Sequence, residues 1–187
     1  MARMVSYCPE PVIRSALLPS LLRCSVVGMQ LDHKDANRGT MNFIEGIISY
    51  GMGLDGQGDS SNGNDPSVPQ SAEARKEVKA SLESAIVAEG QALVVNLARA
   101  LMGDLPTYCV DKGNGSIAGI LWKLNSLCPD LLLQWIQPAV NAAPETPRNE
   151  FLRSIASRVP REEFNLSVRA FLSACDRNRK LMGGVHP

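Results

Sequence analysis

The sequence contains few aromatic residues and few histidines: two tryptophans, three tyrosines, four phenylalanines and two histidines in 187 residues. This shortage, together with the scarcity of β-branched runs, argues against a β-sandwich or barrel, whose many alternating strands draw on those residue types. The two histidines restrict the possible acid-base chemistry, and His186 lies almost at the end of the chain. No Ser-His-Asp constellation, Walker loop or metal-ligand cluster is apparent. We therefore expect a protein that is not an enzyme and that holds neither cofactor nor metal ion.

The sequence also lacks a net charge, because 19 basic residues balance 19 acidic ones. A nucleic-acid-binding domain would carry a basic excess, so direct nucleic-acid binding is not expected. The balance is uneven, since residues 148–180 hold eight basic and four acidic residues. No apolar run reaches the roughly 18 residues of a membrane span, and the N-terminal stretch lacks the apolar region of a secretory signal. The sequence therefore predicts a cytosolic or nuclear protein without a membrane segment.

The cysteines are odd in number and widely spaced, and no C-x-x-C motif occurs. Such spacing is not typical of a disulfide framework or a zinc site. Cys24 and Cys175 lie in apolar helical patterns, where a reduced cysteine acts as a small packing residue. We expect all five cysteines to be reduced: Cys8, Cys24, Cys109, Cys128 and Cys175. A metal-binding or disulfide role is the alternative.

The stretch Val26–Ser49 has the pattern of a helical hairpin with one apolar and one polar side. After a short polar turn, helical spacing places one set of residues on the inner face: Ala36, Thr40, Phe43, Ile44 and Ile47. The opposite face carries Lys34, Arg38, Asn42, Glu45 and Ser49. Asp32 or Asp35 is the expected cap of the second helix, which makes a catalytic role for the neighbouring His33 improbable.

Similar helical patterns recur along the chain and predict an all-α fold, a HEAT-repeat-like α-solenoid of about four antiparallel helix pairs, because a hairpin buries its apolar face only against stacked neighbours. The predicted segments are an irregular edge at 1–9, a first helix pair at 10–51, a flexible Gly/Ser/Asn/Asp loop at 52–70, a second pair at 71–105, a third at 116–142, a fourth at 147–182 and a tail at 183–187.

Proline and glycine predict where these helices bend or break. Pro19 lies inside the first helix, Pro11–Gln30, and predicts a kink there. Gly90 divides the helical region Ala72–Met102 into the two members of the second pair. Three glycines in the loop region, at positions 51, 53 and 56, match G-x-G-x-x-G by letter. That motif needs a strand before it and a helix after it, so we interpret the segment as an exposed loop between helices.

Two stretches resemble a known family. The stretch Gly28–Ile44, GMQLDHKDANRGTMNFI, closely resembles the C-terminal part of nuclear import receptors of the transportin-3 type, in the karyopherin-β (importin-β) family. The segment Leu31–Ala36 matches the family's Leu-Asp-His-basic-Asp-Ala turn. A weaker likeness is found in Ile120–Ile136, ILWKLNSLCPDLLLQWI, which is similar to the family's late helix pair. Together the likeness covers residues 10–142.

The resemblance implies a HEAT solenoid that binds serine/arginine-rich splicing factors as cargo, shuttles between cytoplasm and nucleus, and is unloaded by Ran-GTP. In the family, N-terminal repeats hold Ran, and an upstream arginine-rich helix grips phosphorylated cargo. Neither has a counterpart here, so we expect a C-terminal fragment or a truncated gene product that meets Ran-GTP only through missing upstream repeats. The alternative is a general HEAT scaffold or regulatory subunit of a multiprotein complex.

A candidate face for a protein partner follows from this architecture. In HEAT arrays the second helix of each pair generally lines the concave surface. Here those helices expose Arg38, Asn42 and Glu45 in the first pair and Arg169 in the last. Mixed charge suits a protein partner held by many modest contacts better than a phosphate backbone, which requires a continuous basic track.

Overall fold

The computed structural model describes residues 9–31, 33–56, 71–104 and 116–181. These residues are 86% helical and contain no strand, so the all-α prediction is confirmed. The predicted edge at 1–9, apart from Pro9, and the tail at 183–187 lie outside the described residues. The eight helices of the described part are α1 (Pro9–Arg14), α2 (Leu18–Gly28), α3 (Lys34–Gly56), α4 (Ala72–Met102), α5 (Ser116–Leu127), α6 (Pro129–Ala139), α7 (Glu145–Ala156) and α8 (Arg161–Leu181).

The chain divides into two compact units, Met1–Leu93 and Val94–Pro187. In the first unit α1 packs against α2 and α3, and α2 packs against α3. Phe43, Ile44 and Ile47 are buried as the helical spacing predicts, while the inner-face residues Ala36 and Thr40 are only half-buried. The best-buried side chains of this unit, each at most 1% exposed, are Ile13, Leu18, Met29, Phe43, Ile44, Ile47, Ile48, Val78 and Leu82.

The first helical region is broken rather than kinked, so the prediction of one bent helix was wrong. Helix α1 ends at Arg14 and α2 begins at Leu18. In the turn between them the Leu18 N–H donates to the Ser15 carbonyl at 3.1 Å, and the Leu17 N–H donates to Ser15 Oγ at 3.1 Å. Pro19 therefore falls in the first turn of α2, where the missing N–H would have had no helical partner.

The predicted second helix pair is a single helix. Helix α4 runs for 31 residues from Ala72 to Met102 without interruption, and Gly90 lies buried inside it. One glycine costs a helix only about 1 kcal/mol relative to alanine, which the neighbouring Ala, Leu, Glu and Gln residues offset through their high helix propensity. A glycine alone was therefore too weak a feature from which to predict a break.

Helix α4 is the one helix among the described residues that is long and apolar enough to cross a membrane. An 18-residue window of it has a mean hydropathy of 1.3, although the sequence alone suggested that no segment would qualify. However, 61% of that window is buried inside the protein. The core helix of a soluble protein meets the same criteria of length and composition, so this property is weak support for a span.

Helix α3 is longer than predicted and includes the start of the expected loop. It continues to Gly56, and residues 57–70 of the predicted loop lie outside the described part. Gly51 and Gly53 are therefore helical, which is not the backbone of a phosphate-binding loop. A Cβ on Gly51 would overlap Leu82 Cδ2 of α4, whereas a Cβ on Gly53 would meet no atom within 4 Å. Gly51 thus serves helix packing.

In the second unit α5 packs against α6 and α8, α6 packs against α7, and α7 packs against α8. The predicted pairs at 116–142 and 147–182 correspond to α5 with α6 and to α7 with α8. Pro129 is the first residue of α6, where a missing N–H is tolerated, and Pro138 lies inside the helix near its end, where it cannot donate a backbone hydrogen bond to the preceding turn. The residues buried to at least 99% in this unit include Leu97, Ile120, Leu121, Leu124, Leu132, Ile136, Phe151, Ile155, Phe164 and Phe171.

An aromatic cluster and one buried amide hold α5, α7 and α8 together. The Phe151 ring stacks on Phe171 with centroids 4.8 Å apart and contacts Phe164 at 6.3 Å. Asn125 of α5 is buried, and its Nδ2 donates to the Ile155 carbonyl of α7 at 3.0 Å. Because a buried amide without a partner is costly, this bond fixes where α5 meets the last turn of α7.

The end of α7 has an unusual backbone. Arg158 adopts a φ of +49°, in the left-handed region that favours glycine. The Arg158 N–H donates to the Ile155 carbonyl at 3.2 Å and the Val159 N–H donates to the Ser154 carbonyl at 3.5 Å, which is the Schellman pattern of a helix C-terminus. The turn that leads into α8 is therefore formed by an arginine at a position where glycine is usual.

We predict opposite effects for alanine at Gly51 and at Gly53. Gly51→Ala should lower the free energy of unfolding by about 1–2 kcal/mol, because the new methyl group overlaps buried Leu82. Gly53→Ala should leave stability unchanged or raise it by up to about 1 kcal/mol, because the site is open and alanine favours the helix. Urea denaturation followed by circular dichroism measures both. Equal effects at the two positions would contradict the packing role of Gly51.

Candidate functional site

The candidate site lies on the α2–α3 hairpin, and its geometry starts with the turn that joins the two helices. The Ala36 N–H at the start of α3 donates to His33 Nδ1 at 3.2 Å, so His33 is the N-cap. The expected cap Asp35 lies inside the first turn of α3, and Asp32 lies outside the described residues. The prediction of an Asp35 cap was therefore wrong, since the histidine precedes the helix and carries an acceptor within reach.

Asn37 fixes the second helix against the first. It is 3% exposed, and its Nδ2 donates to the Met29 carbonyl at the end of α2 at 2.7 Å. Sequence reasoning missed this residue. The stripe Asn37, Met41, Ile44 and Ile48 could have revealed it, because a polar residue at a core-facing position needs a hydrogen-bond partner.

A close approach of the two helices completes the hairpin. A Cβ on Gly28 of α2 would lie 2.7 Å from Thr40 Oγ1 of α3, so only glycine fits at this crossing without displacement. Gly28, His33 and Asn37 thus set the angle and spacing of the hairpin. All three fall inside the stretch that carries the family resemblance.

The structure places three of the four candidate partner residues on α3. Arg38 and Asn42 are exposed, and Glu45 is half-buried and takes part in a further interaction. The Ser49 hydroxyl donates to the Glu45 backbone carbonyl at 2.6 Å, which orients the Ser49 side chain along the helix. Arg169 is exposed on α8, in the second unit. The structure therefore brings Arg38, Asn42 and Glu45 together as one helical surface, and Arg169 belongs to another unit.

A groove of about 390 Å³ opens between α2 and α3. Val27 and Leu31 on its α2 side are 57% and 49% exposed, so part of its wall is apolar surface in contact with water. Asp35 is the only charged residue in the lining. Sequence reasoning did not predict this groove. Its lining is completed by Cys24, Ser25, Gly28, Ala36, Gly39, Thr40 and Phe43.

In the second unit Arg179 of α8 binds the end of α4. Gly103 has a φ of +87°, in the left-handed region. The Asp104 N–H donates to the Arg99 carbonyl and the Gly103 N–H to the Ala100 carbonyl, which is the Schellman pattern of a helix C-terminus. The Arg179 guanidinium donates to the Gly103 carbonyl at 3.1 Å and to the Met102 carbonyl at 3.2 Å. A cation at this place complements the negative end of the helix dipole.

Cys175 lies one helical turn before Arg179 and is 5% exposed, as its predicted packing role requires. Burial raises the pKa of the Cys175 thiol to about 11, because the thiolate loses hydration; the Asp176 carboxylate raises it further, and the Arg179 guanidinium lowers it. Cys24 differs from the prediction, because it is exposed at the α2–α3 groove. Cys8 and Cys109 lie outside the described residues.

Among the described residues, no group of three or more His, Cys, Asp or Glu side chains is arranged to hold a metal ion. No protein-family model matches this chain. What the α2–α3 site offers chemically is a mixed polar and apolar surface that suits contact with another protein.

We predict that His33→Ala destabilises the protein by about 1 kcal/mol, because the N-terminus of α3 loses its cap. His33→Asn should restore stability to the wild-type value or above, since asparagine is among the best N-cap residues. Denaturant unfolding of both variants measures the effect. If alanine and asparagine were equivalent at position 33, the capping role would be refuted.

The Cys175 thiol predicts a dependence of stability on alkaline pH. Between the usual pKa of 9.0 and about 11, the unfolded thiol loses its proton while the folded thiol keeps it, so the free energy of unfolding falls as pH rises. In Cys175→Ala this contribution is absent, and the decline from pH 9 to 11 should be shallower than in the wild type. Cys24→Ala is the matched control and should follow the wild-type slope. Parallel slopes for both variants would exclude the contribution of Cys175.

Proposed function

We propose that this chain is the C-terminal HEAT-repeat segment of a nuclear import receptor of the transportin-3 type. In this role it contributes to the binding of protein cargo, such as serine/arginine-rich splicing factors, and shuttles between cytoplasm and nucleus. It acts by binding alone, without catalysis or a cofactor. Ran-GTP reaches it only as a ligand of repeats that precede it in the receptor.

The observation that carries this proposal is the α2–α3 hairpin. The residues that resemble the family have defined structural tasks: Gly28 permits the helix crossing, His33 caps α3 and Asn37 ties α3 to α2. Because the residues that resemble the family are those that shape this hairpin, the resemblance supports the proposal that the chain shares this helix pair with the family. Such hairpins are the repeating element of HEAT arrays.

The exposed surface of α3 supports a modest role in cargo binding. Within the described residues Arg38 and Asn42 form no ion pair or hydrogen bond, so both are available to a partner. Exposed ion pairs contribute only about 0–1 kcal/mol each. The α3 surface therefore adds a small part of the cargo affinity, and most of that affinity comes from other repeats of the receptor.

A general helical scaffold is the second candidate, and one contact favours it. In the second unit α5 packs against α8 as well as α6, so that the contacts α5–α6–α7–α8–α5 form a closed ring. Four helices in a ring bury a core without help from neighbouring repeats, as in a four-helix bundle. A linear array would instead rely mainly on contacts with the adjacent repeat.

The coding sequence ahead of the Met1 codon distinguishes the two candidates. The import-receptor proposal expects further helix pairs there, including an arginine-rich helix, in the same reading frame. The scaffold proposal expects no such arginine-rich helix there. A full-length transcript read from its 5′ end therefore decides between them, and an unrelated upstream domain would refute the receptor proposal.

We predict that the isolated chain does not bind phosphorylated cargo by itself. A phosphorylated serine/arginine-rich peptide, titrated into the chain and followed by fluorescence anisotropy, should give no saturable change at micromolar concentration, because the few exposed charges on α3 supply little affinity. Arg38→Ala should therefore behave as the wild type does. A tight complex that Arg38→Ala abolishes and Asp35→Ala preserves would show that this chain alone is a sufficient cargo receptor.

A further inference from the structure

A second groove, of about 520 Å³, lies between α7 and α8 and has a different character from the first. Its floor is formed by Phe171, which is 1% exposed and stacks on Phe151 in the core. Because the floor belongs to the packed aromatic cluster, the groove has a firm base. Its walls are Pro147, Glu150, Arg153, Ser154 and Ser157 from α7, Val159 from the turn, and Glu163, Leu166, Ser167 and Ala170 from α8.

The groove offers an apolar contact on one wall. Leu166 is 64% exposed although it lies on the groove side of α8. A single exposed leucine on a convex surface is ordinary. Leu166 is distinct because it shares a concave surface with half-buried Val159 and Pro147, where an apolar side chain of a partner would lose contact with water on several sides.

Two carboxylates flank this apolar surface, one from each helix. Glu150 and Glu163 are both exposed, and neither forms an ion pair or hydrogen bond within the described residues. Arg153 is the only basic residue in the lining, so the lining itself carries one net negative charge within a region, residues 148–180, that is otherwise basic. Complementarity of charge therefore favours a basic partner over an acidic one.

The spacing of the two carboxylates indicates the shape of that partner. Glu150 lies six residues before the end of α7, and Glu163 lies two residues after the start of α8. At about 1.5 Å of rise per residue, Glu150 lies about 9 Å along α7 from the helix end and Glu163 about 3 Å along α8 from the helix start, a difference of about 6 Å, close to one helical turn. Basic residues at positions i and i+4 of an incoming helix have the same spacing.

We propose that the α7–α8 groove binds an amphipathic helix of another protein. A leucine-like side chain of that helix packs against Leu166 over the Phe171 floor, and two lysines or arginines one turn apart pair with Glu150 and Glu163. This is the helix-in-groove mode of recognition. The proposal is independent of the import-receptor function, since it rests on a surface that does not include Arg38, Asn42 or Glu45.

The test uses the intact chain and a synthetic peptide as probe. The peptide has roughly 15 residues, long enough to be helical, with leucines at i and i+4 and lysines on both flanks. A matched peptide has glutamate at every lysine position. We expect saturable binding of the lysine peptide and none of the glutamate peptide by isothermal titration calorimetry. No saturable binding of the lysine peptide, or equal binding of both peptides, would overturn the proposal.

Variants of the chain locate the site. Glu163→Lys and Leu166→Ser should each weaken binding of the lysine peptide by about tenfold or more. Glu162→Lys changes the same charge in the same helical turn outside the groove, and Leu181→Ser removes another exposed leucine of α8. Both controls should bind as the wild type does, with circular dichroism showing the same helicity in all four variants. Equal losses in variants and controls would refute this groove as the site.

Discussion

The packing of the first unit depends on the close approach of α3 to its neighbours. At one end, Gly28 of α2 leaves room for the Thr40 side chain, and at the other, Gly51 leaves room for Leu82 of α4. Between these points lies the apolar stripe that includes Phe43, buried to 99%. Wider helix spacing would open voids along this stripe, and protein interiors tolerate such voids poorly. The absence of a Cβ at Gly28 and at Gly51 therefore allows the 23-residue helix α3 to pack closely against α2 and α4.

The two units present different chemistry to a partner. The polar side of α3 carries mixed charge beside an apolar groove, and the α7–α8 hairpin carries unpaired carboxylates around an exposed leucine. Both suit broad contacts with protein, in which a few apolar anchors supply affinity and charge selects the partner. These properties support the proposal that the protein acts by binding other proteins.

Periodicity was sufficient to predict the helices and their buried faces, because burial follows directly from helical geometry: Phe43 and Leu121 are core residues as expected. Helix boundaries were harder to predict. The preferences of Pro19 and Gly90 are small local terms, and the packing and helix propensity of the surrounding residues decide whether a helix breaks there. The candidate residues on α3 were predictable as a surface. The grooves were not, because their shape depends on how two neighbouring helices pack side by side. The contact between Arg179 and the Gly103 carbonyl was not predictable either, because the two residues are 76 positions apart in the sequence.

The left-handed backbone at Arg158 also has a consequence for how this sequence can change over evolutionary time. At most exposed positions one polar residue replaces another freely. At this one, glycine and asparagine adopt the backbone most readily, whereas valine, isoleucine and threonine meet a steric cost of about 1–2 kcal/mol. Few residue types are therefore tolerated at position 158 in the turn between α7 and α8. If related sequences keep an arginine at this position, selection acts on the arginine side chain, because glycine would suit the backbone better.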